Sequence, residues 1–192
     1  MSEYYLRKLE AIELKYFYKI IERDFASGEY PPLDALNNQI REGRQEGLVL
    51  CDGSDDFAYC FCAASPDHDY VLISLFAVFQ KYRGQGIGST FLEELHTRYA
   101  HKQALIVEVE RPEDAHTAEE RDKRLRRIAF YKKAGYRLIK GINYIIWGIP
   151  MHLMVLSINA SPDSIDKRIK QIMQQIYCNA AGEQFMNKIQ FK

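Results

Sequence analysis

Apolar and polar positions alternate along the chain in a way that divides it into strands and helices. Residues 4–9 read as a first short strand. Beyond it Ile12, Tyr16, Ile20 and Ile21 recur at helical spacing and predict one apolar helix face, with a stop near Ser27-Gly28. Pro31-Pro32 bars helix at that point, and residues 33–41 predict a second helix after it. Residues 48–51 and 57–64 predict two strands joined by the turn residues Asp52-Gly53-Ser54-Asp55-Asp56. Residues 70–79 form a longer, almost wholly apolar run, the pattern of a central strand covered on both faces. A glycine-rich loop follows, then a helix over 88–99 with Phe91, Leu92 and Leu95 turned inward. Residues 104–110 alternate cleanly as a strand, which Arg111-Pro112 ends. A helical pattern over 118–134 closes at Gly135, and residues 136–139 and 145–157 supply the last strands, broken at Gly148-Ile149-Pro150. Residues 163–177 predict a C-terminal helix, with Ser161 or Asp163 near its N-cap and Pro162 in its first turn. Strands, then strand-loop-helix, strand, helix and strands describe one mixed α/β sheet.

Composition narrows the setting. A chain of 192 residues supports one domain with a full core, and an apolar fraction of 47% with 10 Phe and 13 Tyr describes a packed globular protein. Lysines and arginines match acidic residues at 26 each, so no strong field draws the chain toward nucleic acid or membrane. The N-terminal residues lack an apolar stretch of signal-peptide length. The longest apolar region, 142–158, is interrupted by Asn143, Gly148, Pro150, His152 and Ser157, too often for a membrane span. Cys60 and Cys62 share a strand face, and no second Cys or His pair stands at zinc spacing. Cys51, Cys60, Cys62 and Cys178 therefore read as reduced thiols; a cytoplasmic protein without a metal is the expectation.

The stretch from Leu75 to Ser89 carries the chemistry. A buried strand leads into a loop holding Gly84, Gly86 and Gly88, and a helix begins at once. Glycines there permit positive φ and close approach, successive amides converge on an anion, and the helix N-terminus adds unpaired donors. The physical expectation is a phosphate or pyrophosphate cradle. A Walker A loop needs Gly-Lys-Ser/Thr after its second glycine, which is absent, and Ser89 occupies the third glycine position of a dinucleotide fingerprint.

Arg83-x-x-Gly86-x-Gly88 instead resembles the Q/R-x-x-G-x-G/A signature of the GNAT superfamily, whose loop binds the pyrophosphate of coenzyme A. A second segment, Ile128-Ala129-Phe130-Tyr131-Lys132-Lys133-Ala134-Gly135-Tyr136, resembles the later A-x-x-[FL]-Y-x-K-x-G-F segment of the same superfamily, in the expected order. The likeness is firm over about 70–139 and loose outside it. Glu108 to Asp114, followed by Arg126-Arg127-Ile128, looks like a bacterial GNAT subgroup whose acceptors are mostly unassigned. The resemblance implies a single-domain α/β GNAT fold, with a mixed, mostly antiparallel twisted sheet flanked by helices. The GNAT domain is expected over 1–160, and 161–192 as a C-terminal helical extension packed on the same domain.

The resemblance also implies roles. Arg83, Gly84, Gln85, Gly86, Ile87, Gly88 and Ser89 would hold acetyl-coenzyme A, and Val78 would present its backbone amide to the thioester carbonyl as an oxyanion stabiliser. Tyr131 matches the tyrosine that in many relatives protonates the leaving thiolate, with reference values of about 10 and 8.5 for phenol and thiol. Glu108 and Glu110 alternate with valines and point to one face. One of them could take the amine proton; a solvated or salt-bridged strand face is the other reading of the same pattern. Arg124 stands where relatives often carry an asparagine that contacts the cofactor arm. It is expected at a cofactor phosphate or, alternatively, within i,i+4 pairs of a helix whose residues 110–127 are two-thirds charged. General family layout places Asp24, Glu29, Tyr30 and Tyr144 at the acceptor side. No histidine stands out. These features describe an acetyl-coenzyme A-dependent N-acetyltransferase that moves an acetyl group to a primary amine of a small molecule or protein by direct attack. The alternative is a non-catalytic acyl-coenzyme A sensor or interaction module. Nucleic-acid binding through 121–127 is opposed by the interleaved Glu119, Glu120 and Asp122. Homodimerisation through the late strands is a family habit and the oligomer expected.

Overall fold

In the computed structural model, residues 4–26 and 28–191 are described, so part of the helix stop expected at Ser27-Gly28 lies outside the described residues. The chain folds as two compact units: Met1–Ala64 with Ile73–Ala100, and Ser65–Leu72 with His101–Lys192.

The first unit orders its strands β1 (Tyr5–Lys8), β2 (Gln45–Cys51), β3 (Asp56–Ala64) and β4 (Tyr70–Val78, in this unit from Ile73 onward). β1 runs antiparallel to β2, with Tyr5 opposite Cys51, and β2 antiparallel to β3, with a register shift at Leu50/Cys51. Two helices, α1 (Leu14–Asp24) and α2 (Leu33–Arg41), supply Leu14, Phe17, Ile20, Ile21 and Leu36 to a core with Val49, Tyr59, Phe61 and Leu75. This corrects the expected face of the first helix. Ile12 is 91% and Tyr16 64% exposed, because residues 11–13 form a 3-10 turn and the apolar stripe of α1 begins one turn later, at Leu14. Arg7 ties the strand end to that turn: its guanidinium donates to both Glu13 oxygens at 2.8 Å and to Asp56 Oδ2 at 2.8 Å. After β4 comes α3 (Ile87–Arg98), which packs on β1 and β3 with Phe91, Leu92 and Leu95 buried as the pattern required. The expected two-sided cover of β4 holds only for its first part; Phe76, Ala77 and Val78 keep exposed surface where the strand reaches the glycine loop.

In the second unit β5 (Ala104–Glu110), β8 (Ile149–Ser157), β7 (Tyr144–Ile146) and β9 (Ile189–Phe191) lie in that order, and β6 (Arg137–Leu138) also pairs with β8. These pairs are antiparallel. The expected break before Pro150 is a two-residue hairpin turn in which Trp147 and Gly148 take φ of 53° and 85°, the positive values that a primed turn needs. Helix α4 (Ala118–Lys133) starts at Thr117, whose side chain accepts the Glu120 amide at 3.1 Å. The C-terminal helix α5 runs Pro162–Ala181, four residues beyond the expected end. Its Ile165, Ile169, Ile172, Met173 and Ile176 are all fully buried and recur at three- and four-residue steps. Nothing in the sequence pattern announced β9. It follows a 3-10 run over Glu183–Lys188 and lines up Ile189 with Ile146 and Phe191 with Tyr144. Among the described residues no helix is long and apolar enough to cross a membrane.

Candidate functional site

The glycine loop belongs to the first unit. The Phe79 amide donates to the Phe57 carbonyl at 2.9 Å and ends the strand pairing one residue past Val78. A 3-10 turn over Gln80–Tyr82 follows, then Arg83, and the chain reverses through Gly84 (φ 76°) and Gly86 (φ 83°) into α3. Buried Ile87 anchors the first helical turn in the core. The chain's own hydrogen bonds take the amides of Tyr82, Arg83, Ser89 and Thr90, and leave those of Gly84 to Gly88 without a backbone acceptor among the described residues. A Cβ at Gly84 or Gly86 would meet nothing within 4 Å, so the space beside the turn is open. A run of free amides at a helix N-terminus, with room beside it, fits a diphosphate. Arg83 sits at its edge, exposed, donating from Nε to the Val78 carbonyl at 2.9 Å, with Nη2 3.7 Å from Asp24 Oδ1. Gln85 braces the loop by donating to the Lys81 carbonyl at 3.0 Å.

Three expected acceptor residues lie at the end of α1 and in its connection to α2. The Asp24 side chain is 8% exposed; its Oδ1 accepts from Arg23 Nε at 3.1 Å, while its Oδ2 is buried without a hydrogen-bond partner among the described residues. Glu29 Oε2 accepts the Ala26 amide at 3.0 Å and closes the turn. Tyr30 packs edge-to-face on Tyr18 at 5.7 Å. Near Asp24, the buried Tyr59 hydroxyl also lacks a partner among the described residues, and burial with the Asp24 charge raises its pKa. A cleft of about 850 Å³ in this unit is lined by Tyr5, Arg7, Tyr16, Arg23 and Lys81 among others, and by none of the residues expected at the site. Its size does not make it the site of the chemistry; the loop's free donors are a more specific signal.

The second unit brings together Glu108, Glu110 and Tyr144 with residues that the sequence did not single out. Glu108 and Glu110 do share a face of β5, but their environments differ. Glu110 is ion-paired with Arg127 and lies 3.7 Å from Arg124 Nε. Glu108 has two neutral partners. Tyr144 donates to Oε1, and Tyr177 of α5 donates to Oε2 at 2.8 Å with Oε1 at 3.1 Å. Burial raises the Glu108 pKa above the ordinary carboxylate value, against the two phenol hydrogen bonds, which lower it. Burial first and the Glu108 charge second push both phenols well up. Tyr144 is 1% exposed and stacks on Phe191 at 5.0 Å, so its hydroxyl addresses Glu108 from inside the unit. Arg111 holds this corner of the unit, donating to Asn143 Oδ1 at 2.8 Å and to the Tyr144 carbonyl at 3.1 Å.

Tyr131, on α4, is 7% exposed, with its ring edge-on to Phe130 at 5.2 Å and to Tyr136 at 5.4 Å. Arg124, about two turns earlier on the same helix, donates to the Arg111 carbonyl at 2.7 Å and pairs with Glu120, which leaves its side chain 13% exposed. Tyr177 had no local signal. It stands 69 residues from Glu108 and one step off the apolar stripe of α5, where its spacing says only that it belongs to a helix.

Residues 44–138 match the model of the acetyltransferase (GNAT) domain. No curated protein sequence matches the chain. Among solved structures, a protein from Bacteroides thetaiotaomicron assigned to the GNAT family is 21% identical, over 92% of this chain and 98% of its own, with a TM-score of 0.74. The ribosomal-protein-S18-alanine N-acetyltransferase of Escherichia coli is 22% identical, over 84% of this chain and 97% of its own, at 0.59. Arabidopsis thaliana NAA60, in complex with acetyl-CoA, is 14% identical, over 82% of this chain and all (100%) of its own, at 0.62. The mixed α/β architecture, with mostly antiparallel strands flanked by helices, is the one these proteins share. With the domain match spanning both the glycine loop and the Tyr131 segment, this chain belongs to the GNAT acetyltransferase superfamily.

Proposed function

We propose that the protein is an acetyl-coenzyme A-dependent N-acetyltransferase that acetylates a primary amine of a small molecule or a protein. The observation that carries the reading is the row of amides from Gly84 to Gly88, free of backbone acceptors at the start of α3. Those amides and the helix dipole hold the diphosphate, and Arg83 adds an exposed cation at the rim. Arg124 carries three partners of its own, so the reading gives the loop that task without it. Val78, at the end of β4 and partly exposed, offers its amide to the thioester oxygen.

Of the two strand carboxylates, Glu108 is the better base. Its partners are uncharged phenols and its pKa is raised, whereas Glu110 faces two guanidinium groups. A base poised nearer neutrality takes an ammonium proton more readily. Glu108 accepts one proton from the acceptor's ammonium group. The freed amine nitrogen forms a bond to the acetyl carbon, the carbon–sulfur bond breaks, and Tyr131 gives its phenol proton to the departing thiolate. The acylated nitrogen gives its second proton through water to the Tyr131 phenolate, so the sum is an N-acetyl amide and a free thiol, with the Glu108 proton returned to water. Asp24 at the end of α1, with Glu29 and Tyr30 in its connection to α2, are proposed to meet the acceptor. The amine class agrees with the Escherichia coli relative, whose name gives an alanine of a ribosomal protein as its acceptor.

The test pairs calorimetric binding of acetyl-coenzyme A with thiol release across a panel of polyamines, amino acids, aminoglycosides and peptide N-termini. Binding together with release on at least one amine supports the proposal. Tight binding without release on any of them assigns the chain to the sensor class, and no binding removes the cradle.

A further inference from the structure

Glu108 is an unusual carboxylate for a strand face. Among the described residues no cation pairs with it, yet both its oxygens are occupied by hydroxyls from two other elements. As a structural device this is poor design, because a buried carboxylate bound only by neutral donors stabilises a fold less than apolar packing of equal volume. As a device for holding a base it is apt. A glutamate side chain has three rotatable bonds, and one donor alone would leave it free to swing. Two donors from β7 and α5 fix the plane of the carboxylate, and the remaining lone pair stays open for a proton.

We infer that Tyr177 of the C-terminal helix is a positioning residue of the acetyl transfer, holding the Glu108 carboxylate together with Tyr144. The inference rests on the base role proposed above for Glu108. It extends the machinery beyond residues 44–138, the span of the GNAT domain match, into a helix otherwise read as an appendage. The helix cannot yield at this point. Ile176 beside Tyr177 is fully buried, Ala180 one turn on is 3% exposed, and Ser161 caps the far end by accepting the Ser164 amide at 3.3 Å. Tyr144 is equally fixed: Arg111 grips its carbonyl and Phe191 of β9 packs on its ring. The C-terminal segment thus supplies one of the two donors and buttresses the other.

The groups around Glu108 make its titration a clean reporter. Tyr144 faces it from β7 and Tyr177 from α5. On β8 its register partner is apolar Leu153, and the neighbouring His152 is engaged with Glu113 at 2.9 Å. On its own strand Glu110 is neutralised by Arg127 and Arg124 of α4. Removing the Tyr177 hydroxyl takes one donor from the charged form, so the proton must bind Glu108 more tightly.

The experiment is Tyr177→Phe in the full chain, read two ways. Carbon-13 NMR of glutamate-labelled protein, assigned with Glu108→Gln, gives the Glu108 midpoint without any need for turnover. The pH profile of kcat/KM for thiol release gives the acid limb. Both should move upward by about one unit, the shift that losing one hydrogen bond to a charged group produces. Replacing Tyr177 by 3-fluorotyrosine, a stronger donor of the same shape, should move both downward. That variant keeps the test sharp should Tyr177→Phe fold poorly, and Gln174→Ala on the exposed side of α5 should move neither. An unmoved midpoint in folded protein overturns the role of Tyr177. A moved midpoint with a stationary acid limb overturns the base role of Glu108, and the positioning role falls with it.

Discussion

Gly86→Ala tests the cradle at its narrowest point. Gly86 stands at the N-cap of α3 with φ 83° and ψ −9°, a left-handed conformation. An L-residue there costs about 1–2 kcal/mol, because its Cβ crowds the following carbonyl. No further steric cost arises, since a Cβ built at Gly86 meets nothing within 4 Å. Alanine recovers part of the loss, about 0.4–1 kcal/mol, by restricting the unfolded chain. The net is about 1 kcal/mol of lost stability, which in a chain of this size lowers Tm by about 2–4 °C. The larger effect falls on the ligand. Relieving the strain rotates the Gly86–Ile87 peptide and turns one or two of the free amides away, so the Kd for acetyl-coenzyme A should rise about tenfold or more, at about 1.4 kcal/mol per decade. Thermal unfolding and titration calorimetry on one preparation give both numbers. Gly86→Asn should lose roughly half as much, because asparagine visits the left-handed region more readily. The reasoning is refuted if Gly86→Ala melts and binds like the wild type, for then the turn is not left-handed or its amides do not hold the ligand.

Three further variants have expected outcomes. Tyr131→Phe should lower kcat about a hundredfold, or about 2.7 kcal/mol, with little change in the Kd for acetyl-coenzyme A; stopped-flow thiol release on a good acceptor measures it. Glu108→Gln should lower kcat/KM by about 10²–10⁴ at neutral pH. Its stability should move the other way: a carboxyl whose folded pKa is raised contributes most below its unfolded pKa and loses that contribution as pH rises through the folded pKa. Denaturant melts should therefore find the Gln variant as stable as the wild type or more so at pH 8, and this relative gain should be absent near pH 4. The reverse sign applies to Glu13, whose pKa is lowered chiefly by the Arg7 hydrogen bonds. Wild type should lose stability as pH falls through the depressed Glu13 pKa, and Glu13→Gln should flatten that part of the pH profile.

Most of the elements, and the glycine loop, were legible in the chain because each depends on neighbours in sequence. Residues 33–41 and 104–110 take the bounds that their periodicity predicted, and the turn from β4 into α3 follows from glycines placed where φ must be positive. Where local pattern misled, a tertiary or capping effect intervened. Ile12 and Tyr16 fit a helical period, but the 3-10 turn over 11–13 shifts the phase and Leu14 and Phe17 take the core.

Spacing alone established that Glu108 and Glu110 look out from one side of a strand, and that a tyrosine, Tyr131, sits on a helix that follows the glycine loop in sequence. Spacing could not separate the two carboxylates. That distinction came from which side chains the fold delivered to each: guanidinium groups of α4 to Glu110, and phenols 36 and 69 residues away to Glu108. The short strand β9, which backs Tyr144, was equally silent, since a three-residue strand carries too few positions to show a period. A backbone conformation answers to the residues beside it. The acidity and aim of a buried side chain answer to atoms brought near from anywhere in the chain, and only folding makes those neighbours.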